Sequence, residues 1–190
     1  MFGGLNDNLV KLASVIFAKT FHGPNDVPIS NYLLPKRGKG LLKKNVISGT
    51  VPVVAGGLKP AAFHNASNTK APVITISASG ANAGYVHIWG EKVWSSDSSY
   101  IDVSNTDYIF FWYLLLKSRQ KQIFDSQSGS AQPHIYPKHI GNILIPKLEM
   151  NKVQQFNEII TPVFNKIFQN NLENKILYRI KDSLLSKYFN

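Results

Sequence analysis

The stretch Asn151-Lys152-Val153-Gln154-Gln155-Phe156-Asn157-Glu158-Ile159-Ile160-Thr161-Pro162-Val163-Phe164-Asn165-Lys166-Ile167 opens a C-terminal run that contains no glycine and one proline. Apolar residues recur through the run at Val153, Phe156, Ile159, Ile160, Val163, Ile167, Leu172, Ile176, Ile180, Leu184 and Tyr188, mostly three or four apart. That spacing lines one face of an α-helix, so the tail is expected to be helical to its end. Pro162 has no N–H and fits the first turn of a new helix after Thr161, which predicts two segments or one kinked rod. Residues 163 to 189 would extend about 40 Å at roughly 1.5 Å per residue, further than the rest of the chain can cover. The stripe Val163, Ile167, Leu172, Ile176, Ile180, Leu184 and Tyr188 is therefore expected to face a second helix, although Asn170 and Asn171 interrupt a strict heptad. A helix folded back on its own body is the alternative.

Upstream of this tail, the chain from Phe21-His22-Gly23-Pro24 to about Leu148 mixes short β-rich runs with Gly, Pro, Ser and Asn. Val51 to Val54, Pro72 to Ile76, Tyr85 to Trp89, Ser99 to Val103 and Ile143 to Ile145 are strand-like in their β-branched and aromatic content. A helix from Tyr108 to Gln122, begun by Thr106 and Asp107, is predicted between the last two, with Lys117, Arg119 and Lys121 in its final turns. At the N-terminus, Leu5, Leu9, Leu12 and Ile16 share one helical face and predict a short amphipathic helix. Two end helices around a mixed body make an α+β fold.

Composition narrows the function. The chain of 190 residues is 44% hydrophobic and 17% charged, the balance of a folding protein rather than a disordered one. It has no cysteine, which removes thiolate metal sites and a cysteine nucleophile and argues against a disulfide-stapled secreted module. The opening Phe2-Gly3-Gly4-Leu5-Asn6-Asp7 lacks the pattern of a secretory signal, so the expected compartment is cytoplasmic. The longest apolar run, Tyr108 to Leu116, is far shorter than the roughly 20 residues of a spanning helix; it reads as a buried helix, with no membrane role. Twenty-one Lys and Arg against 11 Asp and Glu leave a net charge of +10, which favours anionic partners. No carboxylate lies between Asp26 and Glu91, while Lys36, Arg37, Lys39, Lys43, Lys44, Lys59 and Lys70 do. Such a segment is a solvated surface or a phosphate-contacting face.

Motifs for catalysis are missing. Lys36-Arg37-Gly38-Lys39-Gly40 lacks the spacing of a nucleotide-cradling loop, and Ser77-Ala78-Ser79-Gly80 lacks that of a nucleophile elbow. The histidines His22, His64, His87, His134 and His139 show no zinc-site spacing, so no metal is expected on this chain. Glu91, Asp97, Asp102 and Asp107 form the one dense carboxylate set; they suit capping, or the magnesium site of a small endonuclease. What remains is polar and aromatic loop chemistry. Ser79, Asn82 and Tyr85 in one loop, and Gln127, Ser130, Gln132 and His134 in another, carry donors and acceptors suited to base edges. Lys36, Arg37, Lys39, Lys43 and Lys44 are the candidate phosphate contacts.

The order of the pieces resembles a known family. Ser48-Gly49-Thr50-Val51-Pro52-Val53-Val54 precedes Ile74-Thr75-Ile76-Ser77-Ala78-Ser79-Gly80-Ala81-Asn82-Ala83-Gly84-Tyr85-Val86. The Tyr108 to Gln122 helix, Ser128-Gly129-Ser130-Ala131-Gln132-Pro133-His134-Ile135, Ile143-Leu144-Ile145-Pro146-Lys147-Leu148-Glu149 and the long helix follow. This is similar to one target recognition domain with its conserved helix from the DNA-specificity (S) subunit of type I restriction-modification systems. The resemblance implies a short helix over 1–21, a recognition domain over 22–149 and a long spacer helix over 150–190. It implies a non-catalytic reader of one half of a bipartite site in double-stranded DNA. It further implies docked modification (methyltransferase) subunits, a restriction subunit that joins them, and S-adenosylmethionine, ATP and magnesium on those partners rather than here. Family members commonly carry two such units, so this chain is a half-size subunit or a fragment, and a homodimer through the long helix would restore the pair. A magnesium-dependent endonuclease and a scaffold that binds no DNA are the competing readings.

Overall fold

The computed structural model describes residues 3–129 and 133–189. Helix α1 (Gly3–Thr20) is followed by the strands β1 (Val27–Pro28), β2 (Lys36–Arg37), β3 (Val51–Val54), β4 (Ala62–His64), β5 (Val73–Ser77), β6 (Val86–Trp89), β7 (Trp94–Ser95) and β8 (Ser98–Asp102). Helices α2 (Ile109–Ser118), α3 (Gln120–Asp125) and α4 (Pro137–Gly141), strand β9 (Leu144–Ile145) and helix α5 (Met150–Phe189) complete the chain. The α+β class read from the sequence is the observed one.

The main sheet has the order β2-β8-β5-β6, antiparallel throughout. Its centre is β5, whose residues Val73 to Ser77 are all buried, as a continuous β-branched run predicts for an inner strand. A second sheet, β4-β3-β7, pairs β3 antiparallel with β4 and parallel with β7. The chain closes where Val27 and Pro28 pair with Ile145 and Leu144. The two-residue strands β1, β2 and β7 carry no local signal of their own and exist because a longer partner or a packed loop offers them hydrogen bonds.

Between the main sheet and the end helices lies α2, with Ile109 to Leu116 buried without a break. A helix apolar on every face must be enclosed, and here the sheet covers one side while α1 and α5 cover the other. The helix is shorter than predicted: it begins at Ile109 and ends at Ser118, and α3 starts anew after Arg119, whose φ of −98° and ψ of 10° leave the helical region. Thr106 accepts from the Tyr108 N–H at 3.1 Å just ahead of the helix, but neither it nor Asp107 bonds the first turn itself. Instead Asn157 of α5 accepts from the Phe111 N–H at 3.2 Å and donates to the Asp107 carbonyl at 3.3 Å, so a residue of the tail helix satisfies an orphan donor of the buried one. Asp102, 2% exposed, accepts from the Lys70 N–H and from both donors of Ser104, a turn-building role.

The tail is one continuous helix, not two. Pro162 is exposed, as is Glu158, whose carbonyl the missing N–H would have bonded, so the interruption lies on the solvent side of the helix. The proximal half of α5 supplies Val153, Phe156, Ile160, Phe164 and Ile167 to the core, where Phe110 stacks on Phe164 at 4.7 Å and Phe17, Phe21, Phe111 and Phe156 form an edge-to-face cluster. Two positions assigned to a second helix are thereby corrected: Ile167 is 6% exposed inside this chain's own core and Val163 packs half-buried against it. Leu172, Ile176, Ile180, Leu184 and Tyr188 remain exposed. The face of α1 is corrected as well. Ala13, Phe17 and Asn6 point inward, whereas Leu5 and Leu12 face solvent. Periodicity alone admits both stripes, and the small Ala13 allows the closer approach to the core. At the far end Asn6 bonds Asn170 and Asn171, each at 2.8 Å, which sets the antiparallel register of α1 on α5.

Candidate nucleic-acid interface

Strand β2 brings Lys36 and Arg37 to the edge of the main sheet opposite Tyr100 and Ser99. Alternation along the strand sends the two side chains to opposite faces. The turn after it is held by backbone: the Gly38 N–H donates to the Ser98 carbonyl at 2.8 Å and the Lys39 N–H to Ser95 at 2.9 Å. A Cβ at Gly38 would lie 2.5 Å from the Ser95 carbonyl oxygen, so only glycine permits this approach. Lys39 is exposed, with its own carbonyl bonded by the Trp94 indole N–H at 2.8 Å. Lys43 and Lys44 form an exposed 3₁₀ turn with Asn45. All five predicted cations are therefore on the surface.

They are not all uncompensated. A segment without carboxylates in sequence meets one in space: Arg37 pairs with Asp97 at 3.0 Å, sixty residues away. Among the described residues it is the one of the five within ion-pair distance of an acid. The second oxygen of Asp97 accepts a short hydrogen bond from the Ser79 hydroxyl, and the Arg37 guanidinium carbon stands 5.9 Å from the centre of the Tyr136 ring. The His134 ring stacks on Tyr136 at 6.0 Å. Backbone ties this surface together, with Ser79 bridged to His134, Ser128 bridged to His134, and the Ile135 N–H bonded to Ala78 at 2.8 Å. Ser79 and His134, from the two predicted loops, are thus neighbours, and Arg37 joins them through Asp97 and Tyr136.

The other predicted base readers separate. Gln127 donates its amide to the Ala83 carbonyl at 2.7 Å and Asn82 donates to Gly56 at 3.3 Å, so each holds a loop in place. In that loop Gly84 has φ +87° and an added Cβ would strike Ile123 at 2.8 Å. Tyr85 lies apart, with the Lys117 ammonium 4.6 Å from its ring centre and His87 stacked at 6.2 Å. There burial, then Lys117, pulls the His87 pKa down to about 4, and burial lowers that of Lys117. Ser130 and Gln132 lie outside the described residues. Asp97 is the residue of this surface whose part the sequence reading missed, since nothing local links it to Arg37.

The carboxylates of the endonuclease reading are engaged separately. Glu91 pairs with Lys175 of α5 and Asp97 with Arg37, and among the described residues no group of three or more acids or histidines is placed to hold a metal. The surface therefore presents exposed cations beside a stacked His134–Tyr136 pair and a Ser79 hydroxyl, groups able to donate to anionic or neutral acceptors.

Known proteins agree with the architecture. Residues 33–181 match the family model for the type I restriction modification DNA specificity domain. A Mycoplasma genitalium protein named as a type I specificity subunit is 27% identical over 159 residues, covering 81% of this chain and 41% of its own length. The type I restriction enzyme MjaIX specificity subunit of Methanocaldococcus jannaschii is 34% identical over 80 residues. The crystal structure of the type I restriction-modification S subunit from M. genitalium superimposes with a TM-score of 0.72 at 20% identity, covering 98% of this chain and 55% of that one. The HsdS subunit of Thermoanaerobacter tengcongensis gives a TM-score of 0.53 at 14% identity. The chain spans about two-fifths of the length of the curated relatives that match most of it. With its family model matched from the second strand to deep in the tail helix, the chain belongs to the type I restriction-modification DNA specificity domain family.

Proposed function

We propose that this chain is a non-catalytic DNA reader that recognises one half-site of a bipartite target and lends that selectivity to separate modification subunits. The observation that carries the reading is the match of residues 33–181 to a DNA specificity domain, on a surface where Lys36, Lys39, Lys43 and Lys44 are exposed. These lysines contact phosphate and supply affinity on any sequence by counterion release. Ser79 and His134 face the groove beside Arg37. The chemistry belongs to partners that hold S-adenosylmethionine, ATP and magnesium, and the assembly works in the cytoplasm.

The distal half of α5 supports a second element of this proposal. Leu172, Ile176, Ile180, Leu184 and Tyr188 are each between 48% and 66% exposed, a continuous apolar stripe that water disfavours. Two copies joined by antiparallel tails would cover it, and two identical readers at a fixed separation specify an inverted repeat with an unread spacer.

Equilibrium binding of the full chain to a random-sequence duplex tests the reading. The association constant should fall steeply with salt, and replacing Lys39, Lys43 or Lys44 with Gln should lower the slope by about 0.9 each. Failure of the wild-type chain to bind any duplex at low salt would overturn it.

A further inference from the structure

Arg37 is set apart from the lysines around it. Asp97 takes one of its η-nitrogens at 3.0 Å, Ser79 holds the other oxygen of that carboxylate, and the Tyr136 ring lies against the guanidinium. The arginine and aspartate side chains are 42% and 39% exposed, so the pair sits at the surface and contributes at most about 1 kcal/mol to folding. Its consequence is directional. A carboxylate at contact distance cancels most of the guanidinium's field, and a phosphate brought to Arg37 would meet the charge of Asp97 as well. What the held arginine still offers is a planar fork of donors, five in all with one engaged by Asp97, in a fixed orientation. The ligand that suits a fixed, neutralised fork is an uncharged group with two acceptors side by side. In duplex DNA that is the major-groove edge of guanine, O6 beside N7.

We propose that Arg37 is a base reader specific for guanine, and that Asp97, itself held by Ser79, is the positioning residue that aims it and withdraws it from the phosphate contacts. This rests on the DNA-reading function proposed above, and it moves Arg37 out of the phosphate-contacting set to which its place in a lysine-rich segment assigns it.

Two readouts on the full chain test this: enrichment from a random-sequence duplex library, and the salt dependence of binding to one fixed duplex. Wild-type protein should enrich a motif with an invariant guanine. In R37Q that position should become degenerate, losing roughly 5- to 150-fold of preference while the other positions persist. R37K should keep a weak preference. D97N should blur the same position yet steepen the slope by about 0.9, because Arg37 regains its full charge, a change that a merely structural aspartate would not produce. S79A should show a smaller version of both effects, and it carries the test together with R37Q should D97N fail to fold by thermal unfolding. An R37Q protein with an intact motif and a slope lowered by about 0.9 would make Arg37 a phosphate contact and overturn the proposal. A wild-type library without any enrichment would instead bring down the DNA-reading function itself, and this assignment with it.

Discussion

The two halves of helix α5 have the same apolar spacing and opposite fates. From Val153 to Ile167 the stripe, Ile159 apart, lies under α1 and α2, with Phe164 fully buried; from Leu172 to Tyr188 the same stripe stands in solvent, with Leu184 half exposed. Amphipathic periodicity reports that a face wants covering, and it does not report what covers it. In the first half the cover is this chain's own core. In the second nothing among the described residues covers it, and in our proposal a second copy does.

The sharpest break in the comparison is Phe164→Ala against Leu184→Ala. The first removes a ring stacked on Phe110 and met edge-on by Tyr113, and should cost about 3–5 kcal/mol in chemical denaturation. The second should leave the stability of the monomer within about 0.5 kcal/mol.

A second test addresses the junction, where an open cleft of about 670 Å³ separates β6 from α5, lined by His87, Trp89, Phe168, Leu172 and Tyr178. Burial and Lys117 hold the His87 pKa at about 4, below the 6.5 of an unfolded histidine. The unfolded state therefore binds the extra proton first. The contribution is complete above pH 6.5 and is lost as pH falls towards 4, by up to roughly 3 kcal/mol. Between pH 7 and 4 the unfolding free energy of wild type should fall by up to roughly 3 kcal/mol relative to that of His87→Gln, which lacks the titrating group.

Asn170 gives a smaller effect. Its side chain is fully buried at the end of the covered half and donates to Asn6, while its own oxygen has no partner among the described residues. Asn170→Ala should cost about 1 kcal/mol, whereas replacing Asn6 and Asn170 together with Leu should be close to neutral for stability and should loosen the register of α1. Least of all, Ile180→Asp should leave unfolding of the monomer unchanged within about 0.5 kcal/mol while weakening self-association at least tenfold by sedimentation equilibrium.

Much of the fold was legible in the sequence because it rests on long or strongly patterned segments. The inner strands β3, β5 and β8 and the edge strand β6 were visible in their β-branched and aromatic content, and the nine apolar residues from Tyr108 announced a buried helix. The misses share one cause, which is that the deciding partner is remote. Asn157 joins Thr106 in satisfying the start of α2, Ala13 rather than Leu12 turns inward because of what α1 packs on, and Pro162 stays within one helix on its exposed side. The surface behaved likewise. Its cations and the polar loops around Ser79 and His134 could be named from composition, but Gln127 and Asn82 proved to be loop ties, and Asp97 reaches Arg37 across sixty residues of sequence.

The reader-and-spacer account is tested most directly by mapping methylated bases in a host that expresses this chain together with the open reading frames that neighbour it. The account predicts methylation at an inverted repeat, two identical half-sites around a spacer of fixed length that disappears when the chain is omitted. Methylation that persists without the chain, or that falls on a target with no repeated half-site, would contradict it.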